Sequence, residues 1–283
     1  MIQTKIQQIM AKVNSFPSMP TAASKLLSLI NDPEMSVSQV EDVLRLDPGL
    51  TANVLKMTNS AYFGLPSQIG SVRQAVVLMG SKKLVQLVLS SCVHSVMEKP
   101  VAGYDLPPGE LLRHAIAVSV AAEDLVRELK IHAADVVFTA ALLHDVGKLV
   151  LGGFVKDELE EIEDRATGKI SFEAAEQCVL GTNHAEVGAL ILKHWSFPPE
   201  IVEAVQWHHT PDAGGEPGNL TDIVHVADVL SLMIGIGVGR EGLQYLPSLA
   251  ATKRLGLTSF QLEKVASHTL QWVSELSDVF GAT

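Results

Sequence analysis

The residues best able to do chemistry in this chain are imidazoles and carboxylates, and they come in a suggestive order. His144 and Asp145 sit side by side in ALLHDVGK, residues 141–148. Glu110 and His114 precede them, while His184, the pair His208 and His209, and Asp228 follow. Glu110 and His114 are four residues apart, so on a helix they share one face. His144 and Asp145 diverge by about a quarter turn. Both can flank one metal, and the carboxylate can bridge to a second. Asp228 lies in the apolar run VHVADVLSLMI, where an aspartate needs a partner.

Imidazole with carboxylate suits Fe, Mn, Zn or similar divalent ions. Five histidines and three acids are too many for one ion. They point to two or more ions bridged by carboxylate and water. Such a cluster lowers the pKa of a bound water and clamps a phosphate. Lys148, one turn after His144, is placed to meet a phosphate oxygen. Asp145 as the bridge and Lys148 as the phosphate contact are the candidate catalytic residues. Plainer roles stay open. Glu110 can favour a helix N-terminus through the macrodipole. Asp228 can cap a neighbouring helix, and Lys148 can favour the C-terminus of its own. His94, His132, His194, His225 and His268 read as solvated or core-bonded histidines.

The elements that must position these groups read as helices. Helical periodicity dominates and alternating strand patterns are absent. Five or six helices precede residues 99–109, KPVAGYDLPPG, whose prolines and glycines mark the best boundary. Helices are expected after it at 109–129, 133–148, 155–166, 171–180, 182–195, 199–209, 220–235 and 258–280. Ser38 with Glu41, and Thr258 with Gln261, read as capping boxes. Asp47-Pro48 reads as an N-cap followed by a first-turn proline. The expected fold is all-α, with an N-terminal helical subdomain over 1–100, a helical bundle over 101–240 and a C-terminal extension over 241–283.

Composition narrows the partners. The 283 residues allow one large domain or two modest ones. Hydrophobic residues make up 47% and aromatics 5%, so the core is mostly Leu, Val, Ile and Ala. The net charge of -11 leaves no broad basic field, which argues against nucleic acid or anionic membrane as the main partner. Cys92 and Cys178 read as free thiols in a reducing cytoplasm. The N-terminus lacks the apolar core of a signal peptide. The longest apolar stretch is read at 229–238, too short and Gly-rich to span a bilayer. A soluble, cytoplasmic protein is the expectation.

The order of His, His-Asp, His, His-His and Asp resembles the HD superfamily of metal-dependent phosphohydrolases. HDVGK with the later His-His is similar to its HD-GYP phosphodiesterase branch. That resemblance implies that Glu110, His114, His144, Asp145, His184, His208, His209 and Asp228 hold two or three metals, and that Lys148 contacts substrate phosphate. After His209 the chain departs from that branch. Gly215-Glu216-Pro217 lacks the tyrosine of the Gly-Tyr-Pro loop, which predicts little or no turnover of cyclic dinucleotides.

The first half resembles the HDOD branch. Its marks are Met19-Pro20, Asp47-Pro48, Asn59-Ser60-Ala61 with Phe63-Gly64, Ser71-Val72 before Gln74-Ala75, and Leu78-Met79-Gly80. WSFPPEIVEAVQWHH fits the same branch, and the match runs from about residue 16 to 235. The resemblance implies a bacterial signal-transduction output or regulatory protein acting through contacts with signalling proteins. A divalent metal site is expected to be retained, with phosphate or a nucleotide as a possible small ligand. The alternative is an active metal-dependent phosphohydrolase or phosphodiesterase. A third reading keeps metal for structure or sensing without turnover.

Overall fold

Apolar residues at helical spacing become helices along the whole chain. The computed structural model describes residues 2–19, 21–29, 36–44, 47–60, 63–65, 68–131, 134–166, 170–214 and 219–280. These residues are all-α, with one isolated antiparallel bridge between Val101 and Leu106. Before the Pro-rich segment lie α1 (Ile2–Asn14), α2 (Thr21–Leu29), α3 (Val37–Leu44), α4 (Pro48–Thr58), α5 (Val72–Met79) and α6 (Ser81–Met97). After it come α7 (Glu110–Leu129), α8 (Ala134–Leu143), α9 (Lys148–Asp157), α10 (Leu159–Arg165) and α11 (Phe172–Leu180). The chain continues through α12 (His184–His194), α13 (Pro199–Trp207), α14 (Asn219–Met233), α15 (Leu249–Leu255) and α16 (Ser259–Phe280).

Several of these boundaries are set by side chains. Asp47 Oδ1 accepts from the Leu50 amide at 2.9 Å, with Pro48 in the first turn of α4. The Thr258 and Gln261 side chains accept from each other's backbone amides at the start of α16. The box expected at Ser38 and Glu41 falls instead on Ser36 and Gln39, whose side chains accept from each other's amides. Because α3 starts at Val37, Ser38 and Glu41 lie inside it, and Glu41 pairs with Arg73 at 2.8 Å.

Two helix expectations need correction. The span read as 133–148 stops at Leu143, and a new helix starts at Lys148. The span read as 155–166 is divided between α9 and α10. The first break has a steric cause. A Cβ on Gly147 would lie 1.9 Å from the His184 carbonyl oxygen and 2.6 Å from the Gly188 amide nitrogen. The 144–147 turn is therefore pressed against the start of α12. Helix α15 follows a Gly-rich stretch and was not foreseen. Val136–Asp157, rather than 229–238, is the stretch whose length and apolarity would suit a bilayer. Its most apolar 18-residue window is 83% buried within the protein, and the 144–147 turn interrupts the stretch.

The bundle is built around α7, which packs against α8, α14 and α16. Ala115, Ala117, Ser119, Ala121 and Ala122 let its neighbours approach closely, and all five are buried. The N-terminal layer meets this bundle through α6 on α7 and α8, and through α4 on α16. Lys83 pairs with Glu123 across that junction. The Trp195 indole donates to the Pro17 carbonyl at 3.0 Å and packs against Phe16. One apolar core includes residues from Ile9 to Val265. The Pro-rich connector is also built in. Its Tyr104 is 1% exposed and donates its hydroxyl to Glu176 at 2.6 Å.

Asn59, one of the HDOD marks, fixes the turn after α4. Its amide donates to the Leu55 and Ile69 carbonyls at 2.8 and 2.9 Å, and its oxygen accepts from the Ile69 amide at 2.6 Å. Ala61 and Pro66 of the same stretch lie outside the described residues, as do Pro20 and His132. Replacing Asn59 with Ala removes all three bonds. Denaturant unfolding should then show a lower midpoint with an unchanged slope, equivalent to about 1–2 kcal/mol of lost stability.

Candidate metal centre

Each candidate ligand is presented by the end of a helix or by a buried helical face. His114 lies one turn into α7. His144 and Asp145 occupy the turn between α8 and α9. His184 opens α12, behind an Asn183 cap that accepts from the Glu186 amide at 2.8 Å. His208 and His209 directly follow α13, and Asp228 sits inside α14, whose residues from Thr221 to Leu232 are buried.

These seven side chains converge. His114 Nε2 lies 3.0 Å from Asp228 Oδ1 and 3.7 Å from Asp145 Oδ2. His144 Nε2 lies 3.4 Å from Asp145 Oδ2 and 3.7 Å from Asp228 Oδ1. The other oxygen of Asp145 lies 3.5 Å from His184 Nε2 and 3.9 Å from His208 Nε2. Asp145 thus faces two groups with its two oxygens. One holds His114 and His144, with Asp228 beside them, and the other holds His184, His208 and His209. All seven side chains are at most 3% exposed.

The ring orientations fit metal ligation. The second nitrogen of four imidazoles is already committed. Nδ1 of His114 meets the Ile236 carbonyl at 3.0 Å, and that of His144 meets the Ala141 carbonyl at 2.6 Å. Nδ1 of His208 meets the Val205 carbonyl at 2.7 Å, and that of His184 meets Glu176 at 2.8 Å. A proton held on Nδ1 frees Nε2 to turn its lone pair to a metal, which is the usual outer-sphere arrangement. Nε2 of His114 meets Asp228, and that of His184 meets His209 Nε2 at 2.8 Å. His144 Nε2, His208 Nε2, His209 Nδ1, Asp145 Oδ1 and Asp228 Oδ2 are buried without a hydrogen-bond partner among the described residues. Orphaned polar atoms are costly, and five of them facing one centre match a divalent cation.

Two of the residues expected at the site stand differently. Glu110 accepts from the Gly237 amide at 3.0 Å and pairs with Arg113 at 3.1 Å. It lies outside the groups of side chains close enough to share an ion. Instead it holds the loop behind His114. Gly237, at φ +75°, runs so close that a Cβ there would meet the His114 ring at 2.5 Å. Lys148 lies beside the cluster but is buried, with its ammonium 2.8 Å from both Asp145 Oδ2 and Glu241 Oε1. The expected Gly215-Glu216-Pro217 loop lies outside the described residues.

Glu176, Glu241, Tyr104 and Tyr245 complete the surroundings and were not foreseen. Glu176 is fully buried and accepts from the amide and Nδ1 of His184. It sits four residues after Phe172 and four before Leu180, both buried. A carboxylate on that apolar stripe was a signal of the same kind as Asp228. Glu241 and Tyr245 lie in a Gly-rich, non-helical stretch with no periodicity to interpret. The Tyr245 ring stacks on His209, with centroids 4.5 Å apart and planes 17° apart.

The electrostatics follow from burial and pairing. Burial works against the charge of Asp145, yet Lys148 and His144 hold its carboxyl well below the usual range. Asp228 is lowered against burial by His114 and His144. Burial opposes the charge of His144 too, but Asp145 and Asp228 lift it to about 10. Glu176 lifts His184 to about 9 against the same burial cost. Burial and the neighbouring His144 push His208 down to about 3. Burial raises Glu241 despite the pull of Lys148. Without metal, the carboxylates are compensated by Lys148 and by protonated imidazoles.

The HDOD domain profile matches residues 16–211. A solved HDOD domain protein of unknown function from Geobacter sulfurreducens superposes with a TM-score of 0.73 at 23% identity, covering 98% of this chain and 97% of its own. A candidate signal transduction protein from Marinobacter aquaeolei VT8 gives 0.74 at 18% identity, covering 99% of this chain and 66% of its own. A candidate metal-dependent phosphohydrolase from Shewanella amazonensis SB2B gives 0.64 at 17%, covering 98% and 99%. At these identities the likeness is one of fold. Among curated sequences, an uncharacterized Treponema pallidum protein is 24% identical over 81% of this chain, and ribonuclease Y of Thermus thermophilus is 30% identical over 52%. The chain spans 45% of the first and 21% of the second.

The raised values at His144 and His184 set a pH dependence. A metal needs their Nε2 lone pairs, so binding must displace protons bound below about 9 to 10. Apparent affinity for Mn(II) should therefore rise with pH up to that range. Calorimetry in buffers of different ionisation enthalpy should detect the released protons. The sign for folding without metal is opposite. Both groups are raised above their unfolded values, so the stability they add is full below about 6.5 and lost as pH climbs through 9 to 10. Metal should thus raise the melting temperature more at high pH than at low. His144→Ala should reduce metal content, measured by elemental analysis.

Proposed function

We propose, starting from the fact that the chain belongs to the HDOD domain family, that it is a bacterial signal-transduction output module acting through protein contacts. In this reading the His/Asp centre is retained as a divalent metal site that organises the bundle. His114, His144, Asp145 and Asp228 would hold one ion, and Asp145, His184, His208 and His209 a second. Fe or Mn suits this donor set. The observation that carries the reading is closure. The ligand side chains are at most 3% exposed. Lys148, the natural phosphate contact, is already paired with two carboxylates. A catalytic metal site needs an open coordination position and a pocket that admits substrate. The solved neighbour described as a candidate signal transduction protein is consistent with this role.

One observation favours a second reading, an active metal-dependent phosphohydrolase. The two oxygens of Asp145 face separate ligand groups, the placement of a carboxylate shared by two ions. When bound, such a pair would supply Lewis acidity toward a phosphoester and a more acidic water. Asp145 would hold both ions in register, and Lys148 would hold a phosphate oxygen once freed from Glu241.

The deciding experiment is elemental analysis of protein purified without added metal, followed by a phosphodiester and nucleotide hydrolysis panel on Mn-loaded protein. Bound metal with no turnover, of cyclic dinucleotides in particular, is the expected result. Robust hydrolysis abolished by Asp145→Ala would promote the enzyme reading. Metal-free protein that also takes up none when supplied would remove the metal site from both.

A further inference from the structure

We propose that residues 234–248 form a built-in plug over the metal centre, in which the Glu241 carboxylate occupies the position on Lys148 that a phosphate-bearing ligand must take. The proposal rests on the metal reading given above and adds a means of regulating that site. After α14 the chain does not enter its next helix at once. It crosses the centre instead. The Ile236 carbonyl meets His114 Nδ1 at 3.0 Å. Gly237 presses on the His114 ring. Glu241 Oε1 reaches Lys148 Nζ at 2.8 Å, and Tyr245 stacks on His209. A single non-helical segment thus touches two candidate ligands and the buried Lys148.

The chemistry of the Glu241 contact identifies what it excludes. A carboxylate beside an ammonium at 2.8 Å makes the same kind of ion pair that a phosphate oxygen would make. The first partner of Lys148, Asp145, belongs to the centre itself. The second, Glu241, comes from the plug, so it is the exchangeable one. The ligand class is therefore a phosphate or phosphoester group small enough to bridge Lys148 and the metals.

The segment is also built to come away. Its buried side chains are Ile236, Glu241 and Tyr245, whereas Leu243 and Leu246 are 66% and 77% exposed. Ile236 and Tyr245 belong to two small apolar clusters separate from the main core. Past α14 its backbone is tied through the Ile236 carbonyl on His114, the Gly237 amide on Glu110, the Arg240 amide on the Tyr104 carbonyl at 2.8 Å and the Ser248 amide on His225 Nε2 at 2.8 Å. Its side-chain ties are short polar contacts: Arg240 to Glu163 at 3.2 Å, Ser248 to Asp212 at 2.8 Å, and the Tyr245 hydroxyl accepting from the Glu173 amide at 3.2 Å. Gly239, at φ +43°, passes so close to Tyr104 that a Cβ would meet its carbonyl oxygen at 2.4 Å. Segments with few buried contacts open at low free energy while the core stays folded. A ligand that needs the open form binds more weakly by the fraction of molecules that are open.

The test compares wild type with Glu241→Gln and Tyr245→Ala, all loaded with Mn(II). Two quantities are read: the affinity for inorganic phosphate by calorimetry, and the rate of Mn loss to a chelator. Both variants should bind phosphate about tenfold more tightly and release Mn faster, because each raises the open fraction. Adding Lys148→Met to Glu241→Gln should remove the gain in phosphate affinity. In wild type, phosphate should speed amide hydrogen exchange at Gly237, Arg240 and Ser248. Unchanged phosphate affinity and Mn release in both variants would overturn the plug and leave the metal site standing. A gain in Glu241→Gln with none in Tyr245→Ala would also overturn it, since removal of one charge would then suffice. If Glu241→Gln does not fold, Tyr245→Ala and the exchange measurement decide. Failure of wild type to hold Mn would overturn the metal reading and the plug together.

Discussion

The structure depends on keeping four carboxylates charged or paired inside a helical bundle. Asp145, Asp228, Glu176 and Glu241 are each at most 3% exposed, and Lys148 is the ammonium buried among them. An uncompensated buried charge costs several kcal/mol. Every element reaching the centre therefore brings a partner. Helix α7 brings His114 to Asp228, and the 144–147 turn brings His144 and Asp145. Helix α11 brings Glu176 to His184, and the stretch before α15 brings Glu241 to Lys148. A divalent ion in place of displaced protons would satisfy the same demand more fully.

The ring orientations are a product of where helices end. The last carbonyls of a helix have no partner within it. His144 and His208 each follow the last residues of a helix and turn Nδ1 back on the carbonyl three residues earlier, Ala141 and Val205. The helix end thereby satisfies one of its orphan acceptors and aims Nε2 at the centre. His184 sits at the opposite kind of end, the start of α12, where carbonyls are not exposed. Its Nδ1 partner must come from elsewhere, and the Glu176 carboxylate takes both that nitrogen and the His184 amide.

Much of this was legible in the sequence because it is local or strongly periodic. Helices α7, α11, α12, α13 and α16 follow the apolar spacing, and the caps at Asp47 and Thr258 follow residue type. Of the eight side chains singled out by type and order, seven converge. What escaped was set by contacts between distant segments. The break after Leu143 interrupts an apolar pattern that would have continued as a helix. Glu110 has the right spacing from His114, yet Gly237, far along the chain, captures its carboxylate. Glu241 carries no pattern at all, and its role appears only once the chain has crossed over Lys148.

Gly147 shows how a short motif encodes such a distant contact. In HDVGK the histidine and aspartate read as ligands and the lysine as a phosphate contact, while the glycine has no chemistry to offer. Its φ of -64° is ordinary helix, so backbone freedom does not explain it. The reason is the space beyond its Cα, which the His184 carbonyl and the Gly188 amide fill. A side chain there would push the start of α12 away and carry His184 from the Asp145 carboxylate, now 3.5 Å from it. The glycine is thus what allows one aspartate to face imidazoles from both halves of the centre. The spacing of HDVGK records the docking of two helix ends as much as it records a set of ligands.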